Sequence, residues 1–188
     1  MTYFLSKGVL AAPTGSGTNS VTRCGQTITL KDGLDELWQS GRFTMGIADN
    51  NSTLQNLRAL GEFGIVEMSC EDELLAQYRI LTNSVICPAK SGIIRSPLSK
   101  SERIMNQWIR NAGLRLTAAE LIFLFDRKID ARPELLGETN RQALTEIIYT
   151  TETIFDGILE SKMEHAETRD EAVAAILGLL RKKRIILI

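Results

Sequence analysis

The spacing of apolar positions changes several times along the chain, and each change marks an element. Residues 3–11 are rich in strand formers and stop at Pro13, after which GSGTNS supplies a cluster of turn residues. In SVTRCGQTITL (residues 20–30), Ile28 and Leu30 share one face while Thr27 and Thr29 take the other, so one or two strands broken at Gly25 are predicted. Then the period becomes helical. Leu30, Leu34, Leu37 and Trp38 fall on one helical face, and Ser40-Gly41 closes that helix. Residues 43–51 leave room for one short helical turn, and Asn50-Asn51-Ser52 offers an N-cap for the next helix.

The first half is organised around residues 52–88, STLQNLRALGEFGIVEMSCEDELLAQYRILTNSVICP. A Leu54, Leu57, Leu60 stripe predicts a helix, Gly61 and Gly64 a turn, and residues 65–68 a short strand. Glu71-Asp72-Glu73 reads as an acidic connection and residues 78–86 as a second strand. Helix, strand, wing, strand is the second half of a winged helix-turn-helix. The expected architecture is therefore α+β, a winged helix-turn-helix domain over residues 1–89 followed by an α-helical domain over residues 90–188.

That second domain opens on a surface linker and a lopsided charge pattern: Lys90, Arg95, Lys100, Arg103, Arg110 and Arg115 face only Glu102. Ser99 with Glu102 spells a capping box, and Ile104, Trp108 and Ile109 stripe the helix after it up to Gly113. Thr117 with Glu120 opens another helix, carrying Leu121, Ile122, Leu124 and Phe125, and DRKIDARPE comes next as a loop with Pro133 suited to a helix first turn. A continuous apolar face through Leu144, Ile147, Ile148, Thr151, Ile154, Phe155, Ile158 and Leu159 predicts one long central helix over residues 139–165, boxed by Thr139 and Gln142. Gly157 inside it reads as a close helix crossing or a local weakness. Thr168 with Glu171 spells a further box, and Val173, Ile176, Leu177 and Leu180 stripe the last helix, which runs into RKKRIILI.

Composition adds limits. With 188 residues and 44% hydrophobic content the chain can bury a substantial core. A formal net charge of -1 argues against a protein that coats nucleic acid. The three cysteines, Cys24, Cys70 and Cys87, form no CxxC pair and have only His165 as an imidazole partner, so reduced thiols in the cytoplasm are expected rather than a zinc site or a disulfide framework. MTYFLSKGVLAAPTG lacks the apolar length and the basic start of a signal peptide. No run approaches the ~18 apolar residues of a membrane span.

The chemistry that these residues could carry is modest. Three successive acids at Glu71 to Glu73 cannot converge on a metal without a supporting histidine, and His165 has no nucleophile partner. GSGTNS lacks the lysine of a phosphate loop, and GxGxxG is absent. Cys24 and Cys87 are expected as small buried thiols in strands, and Trp38 and Trp108 as core. No catalytic constellation emerges. In the first domain Lys7, Arg23, Lys31, Arg42, Arg58 and Arg79 are outnumbered by Asp32, Asp35, Glu36, Asp49, Glu62, Glu67, Glu71, Asp72 and Glu73. Arg58 stands nearly alone on the would-be recognition helix, so DNA binding there is disfavoured. An exposed strand edge at residues 26–30, with apolar pockets toward the helix at 52–61, suits an added peptide strand better.

Strands, then LDELWQSGRF, then STLQNLRALGEFGIVEM resemble the recognition element of pathways that modify ribosomally made peptides (the RiPP recognition element), the winged-helix module seen in the pyrroloquinoline quinone chaperone. LRALGEFGIVEMSCEDELLAQYRILTNSVICP is similar in layout to the amino-terminal part of microcin-type cyclodehydratase partner proteins. The resemblance covers less than half of the chain. It implies that the leader of a precursor peptide adds as a strand along Gln26, Thr27, Ile28, Thr29 and Leu30 and packs on the helix at Leu54, Gln55 and Arg58. The chain lacks the nucleotide loop and CxxC pairs of the adenylating relatives, so it looks like the small non-catalytic partner of a modifying enzyme, as in the iron-dependent thiaglutamate-forming systems. No cofactor is then expected in this chain; iron would belong to the enzyme. Docking to that enzyme falls to the second domain, with Arg103 and Arg110 on its basic face and Ile185, Ile186 and Leu187 in its apolar tail. The competing expectation is a transcription regulator that grips phosphate through RKKR.

Overall fold

A computed structural model describes residues 1–11, 19–31, 33–89, 96–111, 116–131, 141–150, 153 and 155–188. Residues 15–18 of the GSGTNS turn, residues 90–95 at the start of the linker, Gly113, Pro133 and Thr139 of its expected box lie outside these. The described residues form an α+β chain with three small sheets, of order β5-β1-β6, β2-β3-β4 and β8-β7-β9. The strands are β1 (Thr2–Ser6), β2 (Val9–Leu10), β3 (Ser20–Arg23), β4 (Gln26–Thr29), β5 (Gly46–Ala48), β6 (Val66–Ser69), β7 (Val85–Pro88), β8 (Leu116–Thr117) and β9 (Ile185–Leu187). The helices are α1 (Leu34–Ser40), α2 (Asn51–Glu62), α3 (Glu73–Thr82), α4 (Lys100–Asn111), α5 (Ala118–Asp126), α6 (Arg141–Ile148), α7 (Asp156–Glu164) and α8 (Arg169–Arg181). Two compact units result, Met1–Ser84 with Ile186–Ile188, and Val85–Ile185.

In the first unit β1 is the central strand, with Phe4 opposite Gly46 on β5 and Met68 on β6. The Phe4 ring lies 2.3 Å from where a Cβ on Gly46 would stand, so only glycine fits there. Phe4, Val21, Leu30, Trp38, Leu57, Leu60, Ile65 and Val66 make one core. Trp38 is fully buried as its helical stripe predicts, and its indole N–H donates to the carbonyls of Lys7 and Ile65 at 3.1 and 3.2 Å. The Lys7 ammonium is buried too. Its charge is matched by Glu67 at 2.6 Å and by the Asn83 carbonyl at 3.1 Å, as an ion removed from water must be. Gly8 N–H donates to the Leu187 carbonyl at 2.8 Å.

The wing is not formed. Of the second strand expected over 78–86, residues 78–82 belong to helix α3 and only Val85 and Ile86 are strand, in β7; Asp72 accepts from Leu75 N–H and so caps the start of α3. The acids at 71–73 are thus a helix start, with Glu73 in the first turn where the helix dipole favours it. β6 pairs with β1 instead. Residues 46–48 form strand β5 where a helical turn was expected. Asn50 caps α2 as predicted, accepting from Thr53 N–H at 2.8 Å.

In the second unit β7 pairs with β8 through Val85↔Thr117 and Ile86↔Leu116. Helices α5 and α8 carry its most buried faces and pack on each other, and α8 also packs on α4. The Ser99/Glu102 and Thr117/Glu120 boxes both form. Glu102 is used a second time: it pairs with Lys182 at 2.5 Å. Burial pushes its pKa up, but the bonds from Lys182 and Ser99 outweigh that and hold the carboxyl below its ordinary value. The expected Thr168/Glu171 box does not form, since Thr168 donates to Asp126 at 2.8 Å and Glu171 accepts from the Ser101 hydroxyl. Nor is there one helix over 139–165. It is broken between α6 and α7, where the buried Thr153 hydroxyl donates to the Ile148 carbonyl and accepts from Thr150 N–H, a local alternative to helical bonding typical of threonine. Among the described residues a Cβ on Gly157 would touch nothing within 4 Å, so no described helix crosses there.

Candidate peptide-binding edge

Strands β3 and β4 are joined by Cys24-Gly25, both in left-handed conformation with φ of 49° and 83°. Such a two-residue turn twists with the strands and fixes their register, here Arg23↔Gln26, Thr22↔Thr27, Val21↔Ile28 and Ser20↔Thr29. Cys24 is therefore an exposed turn residue and not a buried strand thiol; Cys87 is buried as expected. Antiparallel pairs alternate between bonded and unbonded, and a two-residue turn makes Arg23–Gln26 a bonded pair. Gln26, Ile28 and Leu30 then spend their backbone groups on β3, and Leu30 N–H indeed donates to the Asn19 carbonyl at 2.8 Å. Thr27 and Thr29 point theirs the other way. β4 is the last strand of its sheet, so among the described residues these groups have no strand beside them.

The two faces of this edge differ. On one, Thr22 and Thr27 hydroxyls meet at 3.1 Å and those of Ser20 and Thr29 at 3.2 Å. On the other, Val21 and Leu30 are core, and Ile28 lies half-buried at the margin of the same core as Leu54 from α2. The fold thus brings Ile28 and Leu54 into one apolar cluster. Gln26, Thr27, Thr29, Gln55 and Arg58 are exposed. Leu30 is only 3% exposed and belongs to the core rather than to an accessible edge.

The docking residues divide. Arg103 and Arg110 are exposed on α4. Ile185 and Leu187 are 0% and 2% exposed, packed within the chain as part of β9, with Ile186 half-buried. The apolar tail is a strand of the fold and offers little to a partner. Lys182, from the basic run, is engaged by Glu102 and by the Pro97 carbonyl at 2.9 Å. Helix α8 buries Ala172, Val173, Ala175, Ile176, Gly178, Leu179 and Leu180, which leaves it poorly placed to enter a DNA groove.

Two clusters escaped the sequence reading. The Arg42 guanidinium stacks over Trp38 and Phe43, at 5.3 and 4.8 Å from their ring centroids, with its Nε buried and without a hydrogen bond among the described residues. Burial lowers its pKa. The spacing WQSGRF was the available signal, since it places Trp38 four residues before Arg42 and Phe43 beside it. In the second unit the Tyr149 hydroxyl lies 3.1 Å from Glu120 and 2.6 Å from Asp156. Desolvation first, then these two carboxylates, push its pKa far up. Only contacts distant in sequence make that cluster, so no local pattern announces it.

Among the described residues no group of three His, Cys, Asp or Glu side chains is arranged to hold a metal, and no helix is long and apolar enough to cross a membrane. No family model matches the chain, and neither does any curated protein or any solved structure.

Proposed function

We propose that this chain binds an extended peptide by strand addition along β4 and presents it to a partner enzyme in the cytoplasm, taking no part in the chemistry itself. The observation that carries this reading is the outer edge of β4, unpaired among the described residues, with the backbone groups of Thr27 and Thr29 directed away from β3. Main-chain bonds to these two residues would supply affinity, and an apolar side chain of the peptide set beside Ile28 and Leu54 would supply selectivity. The likeness to recognition elements of peptide-modifying pathways adds the identity of the peptide, a precursor leader, and of the partner, a modifying enzyme that would bring any iron. Exposed Arg103 and Arg110 are the docking contacts that remain for that enzyme.

The register also selects the test. Ile28→Pro would break β3–β4 pairing and unfold the hairpin. Thr27→Pro and Thr29→Pro remove donors that face outward, where an edge strand tolerates proline. Peptides selected from a random library on the full chain should lose about tenfold or more in affinity for the Thr27→Pro/Thr29→Pro double variant, as expected for two main-chain bonds of about 1 kcal/mol each. Bound peptide should slow amide exchange at Thr27 and Thr29. Undiminished binding to the double variant, or protection confined to another surface, would sink the reading.

A further inference from the structure

The loop between α1 and β5 holds a cation that no described residue compensates. Trp38 and Phe43 lie against the guanidinium of Arg42 and set its plane. Trp38 cannot turn away, because it is fully buried and its indole N–H is spent on the Lys7 and Ile65 carbonyls. The donors in the guanidinium plane are left without acceptors. Nε is buried and has no hydrogen bond; the two terminal nitrogens have none among the described residues either, and they reach solvent. Nor does the side chain close the end of α1, since the Gln39 carbonyl accepts the Arg42 main-chain N–H, at 3.2 Å. Among the described residues Arg42 makes no ion pair, and burial alone, with no charged neighbour contributing, lowers its pKa. A partly desolvated charge is ordinarily paired. Here the counter-charge is missing.

A guanidinium can grip a carboxylate along its Nε side or across its two terminal nitrogens. Burial of Nε closes the first edge. The second presents two parallel N–H groups that match the two oxygens of one carboxylate. We propose that Arg42 is a binding site for a single carboxylate, taken end-on by its two terminal nitrogens in the plane that Trp38 and Phe43 set. A neutral ligand would leave the cation unmatched. A dianion such as a phosphate monoester would bring one charge more than the site can match, because no second cation acts there. The carboxylate can belong to a free acid or to an acidic side chain, and the contact is the same for both. The inference does not depend on peptide binding at β4.

The test is a titration of the full chain followed by proton–nitrogen NMR at the Arg42 Nε–H and the Trp38 indole N–H. Benzoate stands for a free acid, acetylglutamate methylamide for an acidic side chain, and benzyl alcohol for a neutral body of similar size. Both carboxylates should shift the two resonances and saturate at millimolar concentration, the tighter of them identifying the source, while benzyl alcohol should shift neither. Arg42→Lys keeps the charge but loses the planar fork, so the affinity read at the Trp38 indole should fall about fivefold or more. Lys31→Gln removes the same charge from an exposed position of the same unit and should leave the affinity unchanged. The proposal is overturned if benzyl alcohol shifts the resonances as benzoate does, if Arg42→Lys binds the carboxylates as tightly as the parent, if Lys31→Gln weakens them equally, or if neither carboxylate shifts the parent.

Discussion

Glu102 serves as a helix cap and as half of an ion pair at once. One carboxylate oxygen accepts from Ser99 N–H, and both are engaged by Lys182. Its side chain is 8% exposed and that of Lys182 27%, so removing the charge leaves a cation only partly able to reach water. Glu102→Gln should therefore cost about 2 kcal/mol, less than the ~3–5 of a fully buried pair. The folded carboxyl is held below its ordinary 4.5. Its contribution is accordingly complete above that pH and is lost as pH falls through the folded value. Urea midpoints of parent and variant should differ clearly at neutral pH and converge as the pH falls through the folded value. A gap that persisted in acid would mean that Glu102 acts by shape alone.

At the level of elements, two glycines in helices make opposite demands. Gly157 lies in α7 with open space around it, so Gly157→Ala should stabilise by about 0.5–1 kcal/mol through helix propensity. Gly178 in α8 faces the Glu102 carboxylate, 2.3 Å from where a Cβ would stand. Because that carboxylate is held by Lys182 and Ser99 it cannot step aside cheaply, and Gly178→Ala should destabilise by about 2 kcal/mol despite the same propensity gain. Thermal midpoints of the two variants should move in opposite directions. Local rules were legible in the sequence at three helix starts whose partners lie within one turn: Asn50, Ser99 with Glu102, and Thr117 with Glu120 all cap as spelled. Thr168 with Glu171 is spelled the same way and fails, because Asp126 and Ser101 on other elements claim its side chains. Most of the strand expected over 78–86 was lost to helix α3, whose cap Asp72 itself provides, and only its end survives in β7. Alternation placed Thr27 and Thr29 on one face of β4, but which backbone groups point outward depends on the turn at Cys24. Cysteine is not among the residues that usually announce such a turn.

Across the molecule, the first unit is assembled from both extremes of the sequence, residues 1–84 and 186–188. Leu187 is 2% exposed, and its carbonyl accepts the Gly8 N–H. Leu187→Ala should cost about 3 kcal/mol as a buried leucine truncation. Within the first unit, amide exchange at Gly8 should quicken more than that at Leu57 in α2; uniform quickening would instead indicate that this unit opens only as a whole.

The Gly8–Leu187 bond also sets a clock during translation. A ribosome adds about 5–20 residues per second, so the stretch of about a hundred residues between Ser84 and Leu187 takes on the order of 5–20 s to make. Through that interval the nascent first unit waits with the Gly8 amide unpaired and the place of Leu187 unfilled. Any factor that attends emerging chains meets an incomplete unit there, and codon choice across residues 85–185 sets how long that opening lasts.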